Sequence, residues 1–93
     1  MMSKIPGDLE ELKGEERDIE ILRTGLIAEL DAINLYEQMA AVAVSEDIKE
    51  VLLDIAKEEK THVGEFQTML LKKDKEQEKE LETGKKEVEA EIK

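Results

Sequence analysis

Between residues 15 and 44 the apolar positions fall at Ile19, Leu22, Leu26, Ile33, Tyr36, Ala40 and Ala43. Steps of three and four mark one face of a helix. Nothing in that stretch breaks a helix except Gly25, at a cost of about 1 kcal/mol relative to Ala. A second stripe runs through residues 46–73, reading Ile48, Leu52, Ile55, then Phe66 and Met69. Ser45 suits the N-cap of this second helix, because Glu46 and Asp47 bring negative charge to its first turn. So short a connection predicts two antiparallel neighbours.

The flanks read differently. "IPGDLEELKGEE" opens on a Pro-Gly turn, with Asp8 placed to cap a short helix over residues 9–13. Glu11 completes a capping-box pattern and Gly14 ends the helix. After Lys73 the chain becomes "DKEQEKELETGKKEVEAEIK", mostly charge, with Leu81, Val88 and Ile92 as its large apolar side chains. That composition suits a solvated helix, or a linker tail docking weakly on a partner, with Gly84 interrupting it. The expected organisation is an N-terminal segment with a short helix (1–14), a helical hairpin (15–73) and a charged C-terminal helix or tail (74–93).

Both long stripes are broken by polar residues near mid-helix. Between Leu26 and Ile33 the rhythm passes through Glu29, and between Ile55 and Phe66 it passes through Glu59 and His62. Neither place is near a helix end, where a carboxylate could cap. An unpaired buried carboxylate is costly, so such groups neutralise, pair or bind a metal. The neighbouring face positions are apolar and offer no Lys or Arg. Two Glu and one His are ligand types used for iron or manganese. Glu59 and His62, three residues apart, share one helix face and can reach one ion together. A turn near residues 44–45 brings Glu29 to a similar height, so the three form one half-site. A carboxylate-bridged di-iron centre in a four-helix bundle takes one Glu from each of two helices and Glu-x-x-His from each of the other two. One chain supplies half of that set, and a bare hairpin leaves its apolar stripes uncovered. Both arguments call for a homodimer with the metal at the subunit interface. Tyr36 is most simply a core residue, although a phenol there can also hydrogen-bond a metal carboxylate. Glu58, Glu65 and Asp31 read as solvated, with Asp31 and Glu65 able to line an approach path for cations.

Composition narrows the classes. In 93 residues, 42% are charged and 2% aromatic, so a single copy has little to bury. A net charge of -11 disfavours nucleic acid and anionic membranes and favours cations. The chain has no cysteine, hence no thiolate site. No apolar run approaches the roughly 20 residues that span a bilayer. The opening "MMSKIPGDLEEL" lacks a signal-peptide core. The expectation is a cytoplasmic protein with no nucleic-acid or membrane partner.

"AELDAINLYEQMA" resembles the first metal-binding helix of the rubrerythrin branch of ferritin-like proteins, with a ligand Glu and a Tyr seven residues later. "DIAKEEKTHVGEF" is similar to its Glu-x-x-His helix. A full rubrerythrin would carry two such helix pairs and a cysteine-rich rubredoxin domain. The closer resemblance, over residues 17–73, is to encapsulated ferritins, short chains with one Glu and one Glu-x-x-His. It implies an all-α fold: an antiparallel two-helix hairpin, half of a ferritin-like four-helix bundle completed by dimerisation. It further implies a ferroxidase that oxidises Fe(II) with dioxygen or peroxide at a di-iron centre shared between chains. Glu29, Glu59 and His62 would be ligands, and Tyr36 would stand beside them. Pairs would assemble into a ring, a decamer by family analogy, inside an encapsulin nanocompartment whose shell stores the iron. Asp31 matches one acidic position flanking the family's first ligand, but Ala28 stands at the other. No apolar shell-targeting peptide is readable in the tail. That leaves a shortened chain, fusion to the shell protein, or a signal of another kind. Two other classes stay open: a rubrerythrin-like peroxide reductase, which needs an electron donor, and a non-catalytic acidic helical oligomer.

Overall fold

A computed structural model describes residues 13–92, which form three helices: α1 (Gly14–Val42), α2 (Glu46–Lys73) and α3 (Lys75–Glu91). Of the short helix expected over residues 9–13, residues 9–12 lie outside the described residues, and Lys13 is extended as the N-cap of α1. Gly14 has φ 58°, in the left-handed region that glycine tolerates, and α1 starts at that residue. The helix ends two residues earlier than expected, with Ala43 already extended. Ser45 then caps α2, its Oγ accepting from the Ile48 N–H at 3.3 Å. Lys72 and Lys73 place positive charge against the carbonyl end of the same helix.

α1 and α2 pack along each other in opposite directions. Residues early in α1 meet residues late in α2, as in Gly25 with Phe66, while Glu37 later in α1 reaches Lys60 earlier in α2 at 3.3 Å. The core between them is thin: Ile33, Ala40, Ala56 and Leu70 are the buried apolar residues among those described. The α1 positions expected on the inner face are all buried or half-buried. On α2 the face sits slightly differently. Ile48 and Met69 are exposed, and Ala56 and Leu70, one position from Ile55 and Met69, take the buried places. With 3.6 residues per turn, a strict three-four count drifts around the helix over seven turns, and the true contact line moves with it.

Asp74 separates α2 from α3 and serves both. Its backbone N–H donates to Leu70 O at 2.8 Å, closing α2. Its Oδ1 accepts from the Gln77 N–H at 3.0 Å, capping α3, and its Oδ2 accepts from the Arg23 guanidinium at 2.7 Å. The Gln77 N–H holds the carboxyl below its ordinary value, and Arg23 adds to that. Past this junction α3 is one continuous helix, so the interruption expected at Gly84 does not occur. One interior glycine costs about 1 kcal/mol. The Asp74 cap, the Lys75–Glu78 pair at 3.5 Å and the surrounding Lys and Glu, good helix formers, offset it.

The chain is a flat layer, 46 × 43 × 18 Å. Its Cα radius of gyration is 16.5 Å, against about 12 Å for a compact domain of this length. Ile27, Leu30, Ile48, Val51 and Val88 each expose half or more of their surface.

Candidate metal centre

Glu29 comes from the middle of α1, and Glu59 and His62 from one face of α2. The packing brings them together: one ligand atom from each lies within 4.8 Å of the others. His62 Nδ1 is 3.5 Å from Glu29 Oε2 and 3.5 Å from Glu59 Oε2. Both carboxylates are largely covered, each side chain keeping 18% of its exposure, whereas His62 keeps 42%. The cluster is therefore sheltered by the helix pair but open on its histidine side.

Its polar accounting does not close. One imidazole N–H faces two carboxylates, each at the outer limit of hydrogen-bond distance, and a ring nitrogen donates only once. Glu29 Oε2 is buried and has no hydrogen-bond partner. Lys60, beside Glu59 in sequence, is turned away to Glu37 and does not neutralise the cluster. Two close carboxylates with an orphaned buried oxygen form a place that a divalent cation would complete. Oxygen and imidazole donors of this kind suit iron, manganese or zinc. The residues present fit a bound metal.

The remaining sequence-singled residues lie outside this group. Tyr36 is half-buried on α1, seven residues past Glu29. Asp31 is half-buried with interactions of its own, and Glu58 and Glu65 are exposed on α2. None of Asp31, Glu58 and Glu65 joins Glu29, Glu59 and His62 as a ligand group. Sequence reasoning overlooked what frames the cluster. Gly25, four residues before Glu29, lies against the ring of Phe66, four residues after His62. The available signal was a lone mid-helix glycine opposite the chain's one phenylalanine.

The sequence pattern of the EncFtn-like family matches residues 5–88. The chain belongs to that family. It is 57% identical over 74 residues to a Pyrococcus furiosus protein named as a ferritin-like–encapsulin shell fusion. That match takes in 80% of this chain and 21% of the relative, so the chain spans about a fifth of the relative's length. The crystal structure of the encapsulated ferritin domain from Pyrococcus furiosus superposes with a TM-score of 0.81 at 48% identity. It covers 97% of this chain and 86% of that one. The all-helical fold is thus that of an encapsulated ferritin. Among the described residues no helix is long and apolar enough to cross a membrane.

Proposed function

We propose that this EncFtn-like protein is a ferroxidase, taking Fe(II) as its substrate at a di-iron site that two chains complete. The observation that carries the reading is the buried, partnerless Glu29 Oε2 set against Glu59 and His62. A four-helix di-iron site needs two glutamates and two Glu-x-x-His pairs. One chain offers one of each, and its exposed apolar residues need a cover that a second copy provides. Residues 15–73 would form the ferritin-like unit of each chain, an antiparallel hairpin, flanked by segments 1–14 and 74–93.

In this reading Glu29 and Glu59 supply negative charge in a covered site, and His62 supplies a nitrogen donor on its more open side. Carboxylate oxygens are hard donors that stabilise Fe(III) more than Fe(II), so each ion gives up an electron more readily there. Two neighbouring ions release two electrons together, which matches dioxygen or peroxide as acceptor. The acidic surface raises the local concentration of cations. We further propose that dimers form a larger ring and that the oxidised iron passes to an encapsulin shell in the cytoplasm. Support for that partner comes from the fusion named for the Pyrococcus furiosus relative.

The test is the initial rate of aerobic Fe(II) oxidation in the wild type, Glu59→Ala and His62→Ala. Both variants are expected to fall to the uncatalysed rate, and a wild-type rate in either overturns the assignment. Steady peroxide consumption with an added reductant, without Fe(III) accumulation, would instead favour a peroxide reductase.

A further inference from the structure

Gly25 and Phe66 flank the metal centre on one side. Four residues are about 6 Å of helix rise, so Gly25 stands one turn before Glu29 on α1 and Phe66 one turn after His62 on α2. Because the helices run in opposite directions, these two positions face each other at one level. A Cβ built on Gly25 would fall 2.7 Å from both Cδ1 and Cζ of the Phe66 ring, and closer still to Cε1. Real Cβ atoms do not approach other atoms so closely, so an added methyl would have to displace the half-buried ring or the helix. The ring thus occupies the space a side chain on α1 would fill. Gly64, on the same helix as Phe66, has nothing within 4 Å of such a Cβ. Its absent side chain leaves open space, whereas that of Gly25 makes room for the ring.

From this we infer that the Gly25–Phe66 contact is the spacer that sets the separation of α1 and α2 at the metal site, holding Glu29 within ligand distance of Glu59 and His62. The inference rests on the metal-binding reading above and adds two positioning residues that touch no metal themselves. Its physical basis is that an added methyl in a close-packed contact forces side-chain and backbone shifts, which the dense packing passes along the helix. Glu29, one turn further along α1, is the ligand that such a shift would move. A ligand set needs its atoms placed to a few tenths of an ångström, so a small widening is felt as lost affinity.

The test uses the full chain with Co(II), whose visible absorption reports both binding and ligand geometry. Four variants are compared with the wild type: Gly25→Ala, Phe66→Leu, the double Gly25→Ala/Phe66→Leu, and Gly64→Ala as control. Helicity and thermal midpoint are measured on metal-free protein. Gly25→Ala is expected to weaken Co(II) binding by about tenfold or more and to alter the absorption band. The double variant, with the ring replaced by a smaller side chain, is expected to recover most of that affinity. Gly64→Ala should bind as the wild type does. Wild-type affinity and spectrum in a folded Gly25→Ala protein overturn the inference, as does a folded double variant no better than the single. If Gly25→Ala fails to fold, Phe66→Leu carries the test. It removes the spacer without a clash and should weaken binding and change the band, and unchanged binding there is contrary. Failure of the underlying metal reading is distinguishable: the wild type itself would then show no Co(II) binding that His62→Ala abolishes.

Discussion

His62 Nδ1 lies 3.5 Å from Glu29 Oε2, joining two helices at a point where neither side chain satisfies the other. The relationship separates stability from function. Glu29→Gln keeps the shape and removes the charge. It should abolish rapid Fe(II) oxidation, yet leave the metal-free protein as stable as the wild type or more so, by up to about 1–3 kcal/mol. Thermal melts in the presence of a chelator, set beside oxidation rates, check both halves.

A second expectation concerns acid. Asp74 has its carboxyl held below the ordinary value by the Gln77 N–H and by Arg23. A group depressed on folding contributes stability above its unfolded pKa, near 3.8, and loses it as pH falls through the lower folded value. The advantage of wild type over Asp74→Asn should therefore be present at neutral pH and shrink below the ordinary carboxylate range. Melting curves of both proteins from pH 7 to strongly acidic conditions would show it. Asn still caps a helix, so the difference reports the Arg23 pair and the charge on the cap.

Ser45 is the side-chain cap of α2, and its removal acts on the helix that carries both Glu59 and His62. Ser45→Ala should destabilise the protein by about 1 kcal/mol, measured by denaturant unfolding. The ligand spacing on α2 lies several turns away, so oxidation rates at temperatures well below unfolding should stay near wild type.

Gly84 sits inside α3 with nothing within 4 Å of an added Cβ. Gly84→Ala should raise stability by up to about 1 kcal/mol and increase helicity. Far-UV circular dichroism and thermal unfolding of the two proteins test this directly.

The long helices were legible from their apolar periodicity, and the Ser45 cap marks where α2 begins. The cluster was legible because Glu29, Glu59 and His62 each break a stripe, and the short turn equates their heights. What escaped was set by packing between helices. Gly25 read as a helix defect, since no local pattern shows that its missing side chain is filled by Phe66. Arg23 and Asp74 are distant in sequence, and only the fold shows that one residue closes α2 with its backbone N–H while its carboxylate caps α3 and pairs with α1. Gly84 misled because glycine marks a helix end only where the backbone must turn left-handed, and nothing in α3 asks for that.

The central claim is that one chain holds half of an iron site and a second chain completes it. Native mass spectrometry of the protein with and without Fe(II) tests this most directly, because it reads assembly and metal content together. Species with even numbers of chains, carrying two irons per pair, are expected, with loss of that iron in His62→Ala. Iron held by isolated single chains, or no bound iron after aerobic addition of Fe(II), would contradict it.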